Sequence, residues 1–141
     1  MRKSIFLILL LCIAAGSGYS KSNTVTLLLH RDNSVEKMVL NSDTTELVLR
    51  DRGLTRVEGI GKLKNLKKLN LTNNELTGIE GLRTLTNLEK LHLSKNNITR
   101  IEGLDTCRNL VLLDLSHNNL TRIEGLNICK KLEWLVLSKT I

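Results

Sequence analysis

His92 and Asp114 stand 22 residues apart, and Ser94 and Ser116 follow each of them by two places. These are the residue types of a nucleophile, a base and an orienting acid. Such a relay also needs an oxyanion hole and a pocket, and an open sheet face supplies neither. Cys107 and Cys129 repeat the 22-residue interval. No cysteine–histidine spacing for zinc, Gly-rich phosphate loop or HExxH accompanies them. Glu58, Glu80, Glu102 and Glu124 form a third series at the same interval. A row of carboxylates suits a cation, but each follows Arg56, Gly78, Arg100 or Arg122 by two places, and local ion pairing explains most of the row. Neither catalysis nor a metal nor any cofactor is expected from these sets. Asn70-Leu-Thr72, Asn97-Ile-Thr99 and Asn119-Leu-Thr121 are N-glycosylation sequons in a secreted eukaryotic protein.

The common interval has a single cause. Leucine returns at Leu66, Leu88, Leu110 and Leu132, with further leucines three and five places on in each frame, and Asn74, Asn96 and Asn118 eight places on. Leu66 is taken as slot 1. A fixed period in this range, carrying L-x-x-L-x-L-x-x-N-x-L, specifies a stacked solenoid. Slots 3 to 7 alternate polar and apolar, as a strand with one buried face does. Successive strands align in parallel, and slots 9 to 22 form the return path that parallel strands require. The slot-9 asparagines are expected to be buried and to satisfy turn backbone groups. Gly59, Gly81, Gly103 and Gly125 fall at slot 16, where a positive φ is expected, followed by one short helical turn such as 82–87.

These residues resemble the leucine-rich-repeat proteins, in particular the 22-residue type of the regulatory subunit of protein phosphatase 1. Arg100-Ile-Glu-Gly-Leu104 and Leu113-Asp-Leu-Ser-His-Asn118 are similar to that type's consensus, and the likeness runs over residues 44–141. The resemblance implies an α/β fold: a leucine-rich-repeat solenoid with a curved parallel sheet on the concave side, short helical turns on the convex side, and protein binding on the concave face. The phosphatase regulators are intracellular, have many more repeats and end in a C-terminal cap. Phosphatase binding is therefore not carried over, and an intracellular regulatory subunit stands as the alternative function.

The first frame, from Thr44, has Arg52 at the asparagine slot, and the last begins at Leu132. Residues 21–43 fit the frame poorly and read as an N-terminal cap or degenerate repeat, with a strand around 24–29, since a terminal unit must cover the open end of a solenoid. Residues 1–20 have the order of a secretory signal peptide: Arg2 and Lys3, an uncharged run from Ile5 to Ala15, then small and polar residues. The apolar run is shorter than the ~20 residues of a membrane span. A secreted protein with no membrane span after cleavage is expected. Cleavage removes two of the 21 basic residues and none of the 14 acidic ones, leaving a charge of about +5. Trp134 is then the sole aromatic, which disfavours stacking on single-stranded nucleic acid. Cys107 and Cys129 share slot 20, one coil apart. Two readings fit: a disulfide, which the secretory route allows, or two buried thiols packing as small hydrophobes.

Outward strand positions decide what a solenoid binds. Slot 3 reads Glu46, Lys68, Lys90, Leu112, Trp134, and slot 5 reads Val48, Asn70, His92, Asp114, Val136. The face thus grades from charged to apolar, and Leu112, Trp134 and Val136 lie together. Lys68, Lys90, His92, Leu112, Asp114, Trp134 and Val136 are the expected protein-binding residues, since Trp is enriched at interface hot spots. The competing reading of Trp134 is that it folds over the last coil. A surface contact between His92 and Asp114 is expected. Lys62, Lys64, Lys67, Lys68 and Lys90 make a basic cluster that reads first as a soluble rim. The final strand, 133–138, is expected to present an unpaired edge suited to self-association or to a partner strand. A structural or self-assembling fragment is the other alternative function.

Overall fold

In the computed structural model, residues 23–139 are described. The expected signal segment 1–20 lies outside them, as do Lys21, Ser22, Thr140 and Ile141. The chain opens with a hairpin: β1 (Thr24–Arg31) and β2 (Ser34–Asn41) pair antiparallel around Asp32 and Asn33. Three-residue strands follow: β3 (Glu46–Val48), β4 (Arg56–Glu58), β5 (Lys68–Asn70), β6 (Lys90–His92), β7 (Leu112–Asp114) and β8 (Trp134–Val136). One sheet of five strands is parallel throughout, in the order β3-β5-β6-β7-β8. A smaller sheet has the order β2-β1-β4, with β1 antiparallel to β4.

The parallel register follows the sequence frame: Leu47, Leu69, Leu91, Leu113 and Leu135 are successive ladder partners. From Leu47 to Leu115 the slot-4 and slot-6 leucines point inward and are buried in one continuous core with Leu63, Leu66, Leu85, Leu88 and Leu110. Each coil bonds its successor beyond the strands: Leu49 N donates to Asn70 O at 2.8 Å, Leu71 N to His92 O at 2.9 Å, and Leu93 N to Asp114 O at 2.8 Å.

Three places beyond each parallel strand comes a left-handed residue, at Asp51, Asn73, Lys95, His117 and Lys139, with φ between 54 and 58°. After Asn73, Lys95 and His117 this reverses the chain so that the next residue points inward. In the inner coils that residue is the buried asparagine. Asn96 Nδ2 donates to Leu71 O and Leu93 O, both at 3.0 Å, and its Oδ1 accepts from Leu76 N at 3.0 Å. Asn74 and Asn118 repeat the arrangement. The return path then turns at glycine. Gly59, Gly81 and Gly103 have φ of 82–87° and each leads into a single 3-10 turn, at Ile60–Lys62, Leu82–Thr84 and Leu104–Thr106.

The hairpin is not a further coil of the parallel sheet. Its inner face sets Val25, Leu27 and Leu29 into the core, with Met38 and Leu40 packed beside them. It docks on the return side of the first coil, pairing Leu29 with Val57. Contact there is close: a Cβ on Gly59 would lie 2.8 Å from Thr26 O.

Candidate functional site

The outer face of the parallel sheet is built from slots 3, 5 and 7, because alternation along a strand sends those side chains away from the core. At the N-terminal end the face is ionic. Lys68 Nζ lies 3.4 Å from Glu46 Oε2 on the neighbouring strand. Lys67, beside the face, pairs with Glu89 at 3.3 Å, so part of the basic cluster is already matched by acid. Both pairs are solvent-exposed and contribute little to stability.

In the middle of the face, His92 and Asp114 are ladder partners, as their spacing requires. The expected contact between their side chains is not among the ion pairs of the described residues. Asp114 Oδ1 instead accepts from Ser116 N at 3.0 Å and from Ser116 Oγ at 2.7 Å. Two donors two residues along its own chain outcompete a histidine on the next strand. Ser94 Oγ lies 3.3 Å from Thr72 Oγ1, and Ser94 and Ser116 are both buried. The Ser94 hydroxyl therefore bridges to the coil before it and that of Ser116 turns back on its own strand, so neither bond goes to His92.

Toward the C-terminus the face becomes apolar. Leu112 is the ladder partner of Trp134, and Asp114 of Val136. Trp134 is 64% exposed and Val136 40%, while Leu112 is half-buried. The seven expected binding residues thus share one continuous face over β5–β8, with lysines at one end and the tryptophan at the other.

The remaining reactive groups are quiet. Cys107 and Cys129 are free thiols in the core. Cys129 Sγ lies 3.6 Å from Leu104 O, and Cys107 Sγ 3.8 Å from Leu82 O, each meeting a carbonyl of the preceding coil. Burial pushes the Cys107 thiol up to about 11 and that of Cys129 upward also, so neither is a nucleophile at neutral pH. On the return side, Arg100 pairs with Glu102 at 3.0 Å and Arg122 with Glu124 at 3.2 Å. Arg56 reaches Glu58 in its own coil and both carboxylate oxygens of Glu80 in the next. Among the described residues no three His, Cys, Asp or Glu side chains gather to hold a metal, and no helix is long and apolar enough to cross a membrane. Asn97 and Asn119 are exposed, whereas Asn70 is half-buried with its Oδ1 engaged by Thr72 N at 3.0 Å.

Sequence reasoning missed the outer edge of β2, where Val35 and Val39 are 56% and 62% exposed. No local signal marks it, since the Asp32-Asn33 turn is not one of the glycine-containing pairs that read as a hairpin.

The family model for leucine rich repeats (two copies) matches residues 45–84 and 86–127, more than half of the chain. Among curated proteins none matches. Among solved structures, the chain is similar to the leucine-rich-repeat ectodomain of the receptor kinase SOBIR1 from Arabidopsis thaliana, with 22% identity, a TM-score of 0.46, and coverage of 85% of this chain and 82% of that one.

Proposed function

The chain belongs to the leucine-rich-repeat family, a protein-interaction fold, and from that premise we propose that it docks a protein partner on the outer face of its parallel sheet, over the C-terminal strands. The observation that carries this reading is the exposed Trp134 stacked beside Leu112 and Val136 on one face. A large, rigid, solvent-facing aromatic flanked by aliphatic side chains is the composition of an interface centre. Lys68, Lys90, His92 and Asp114 form the polar surround that orients the partner. The role is binding, not catalysis. The protein is secreted through its N-terminal segment, and Asn97 and Asn119 are the sequons that carry glycans first; their exposure supports that order, and a glycan at Asn70 would stand on the docking face.

The test compares partners retained from extracellular fluid by the wild-type chain and by Trp134→Ala, alongside thermal unfolding of both. Loss of a defined partner with the unfolding midpoint held within a few degrees supports the reading. An unfolded variant, or one that retains every partner, overturns it. A second reading, self-association through β8, is favoured by Leu135, which is 40% exposed where Leu69, Leu91 and Leu113 are fully buried. Light scattering at high concentration decides it, and a clean monomer removes it.

A further inference from the structure

We infer that the free edge of β2 is a second docking site, which adds an extended strand from a protein partner carrying an acidic residue between two apolar ones. β2 is eight residues long, whereas β3 and β8, the edges of the parallel sheet, have three each. In the order β2-β1-β4 it is an outer strand. Its pairing with β1 runs from Ser34 to Asn41 without a bulge, and the strand contains no proline.

The direction of its peptide groups is fixed by one bond. Ser42 N donates to Asn23 O at 2.8 Å, which makes that opposed pair a hydrogen-bonded one. Bonded and non-bonded pairs alternate along an antiparallel ladder. Leu40, Met38 and Glu36 therefore bond to Val25, Leu27 and Leu29, and the N–H and C=O groups of Val35, Lys37 and Val39 point away from β1. The side chains of the same three residues stand on the exposed face. A partner strand would meet a row of donors and acceptors unused among the described residues, with an apolar–basic–apolar series beside it.

Natural sheets blunt such edges with lysine, proline or a bulge. On the exposed face of β2 the device is the lysine, and it decides the occupant. The register that sets Val35 against Val39 of a second copy also sets Lys37 against its own counterpart, and like charges directly opposed are unfavourable. Lys37 has no ion pair among the described residues. An acid flanked at alternate positions by β-branched residues places a carboxylate opposite Lys37 and apolar groups opposite both valines. Main-chain bonds supply the affinity in this mode, and alternate side chains supply the selection.

The test titrates the full chain with two seven-residue probe peptides of valine and threonine, one with a central glutamate and one with a central lysine. The glutamate probe is expected to shift the backbone amide resonances of Val35, Lys37 and Val39 and to bind at least about tenfold more tightly than the lysine probe. Lys37→Glu reverses that preference. Val39→Pro removes a donor that faces outward, leaves the β1–β2 bonds in place, and abolishes binding. Failure of the glutamate probe to bind, equal binding of both probes, insensitivity to both substitutions, shifts confined to β5–β8, or self-pairing through β2 overturns the proposal. Should the proline variant misfold, the charge reversal at Lys37 decides alone.

Discussion

Asn74 and Asn96 occupy the same slot in consecutive coils, yet their removal should cost different amounts. Leu71 O accepts from both Asn74, at 2.9 Å, and Asn96, at 3.0 Å. Leu93 O likewise accepts from Asn96, at 3.0 Å, and Asn118, at 2.9 Å. Asn96→Ala therefore leaves each of these carbonyls one donor and strands only Leu76 N–H. The coil before Asn74 has Arg52 at that slot, so the side-chain amide of Asn74 is the only one reaching Leu49 O, at 2.9 Å. Its Oδ1 also takes Leu54 N at 3.0 Å and the part-buried Arg52 N at 3.1 Å. Asn74→Ala strands Leu49 O and Leu54 N–H in the core and leaves Arg52 N–H to water. An unsatisfied buried backbone group costs about 1–3 kcal/mol. Asn96→Ala should thus destabilise by about 1–3 kcal/mol and Asn74→Ala by about 2–6 kcal/mol. Against a total stability of about 5–15 kcal/mol, the second is a large fraction. Urea unfolding read by far-ultraviolet circular dichroism measures both. Arg52→Asn supplies the missing amide beside Leu49 O and should recover part of the loss in the Asn74→Ala background. Equal costs for the two alanine variants, or no recovery by Arg52→Asn, would refute the reasoning.

Two further outcomes follow from the same packing. Gly59→Ala should destabilise by about 2 kcal/mol or more, since its positive φ and the 2.8 Å approach to Thr26 O both oppose a Cβ; Gly78→Ala, where a Cβ meets nothing within 4 Å, is the control, and equal urea midpoints would contradict this. Burial raises the Cys107 thiol from 9.0 to about 11, so its contribution is complete below pH 9, where both states hold the proton. It is lost as pH rises toward about 11, because the unfolded thiol ionises first. The stability gap between wild type and Cys107→Val should be flat below pH 9 and shift by about 2–3 kcal/mol over that window; a flat gap throughout would count against it.

The parallel sheet was legible because one period served every slot: Leu69, Leu91 and Leu113 had to share a face once their spacing was seen. The buried asparagines and the glycine turns followed by the same logic. The hairpin was not legible, since both faces of Ser34–Asn41 carry apolar residues and no clean alternation marks it as a strand. Its antiparallel docking on Arg56–Glu58 depends on tertiary contact that no local pattern encodes. Of the site, the columns were legible and the side-chain directions were not. Spacing brought His92 beside Asp114 but could not say that Ser116, on Asp114's own strand end, would claim the carboxylate.

The asparagine ladder runs one way. Leu54 N is satisfied by Asn74, Leu76 N by Asn96 and Ile98 N by Asn118, each belonging to the coil made next. On a ribosome, where the chain emerges N-terminus first at about 5–20 residues per second, a coil waits roughly one to four seconds for the amide that closes its turn. Every nascent coil is thus open at its growing end and closed only by its successor. Pausing of translation inside a repeat would prolong the exposure of one turn, while the coils before it stay sealed.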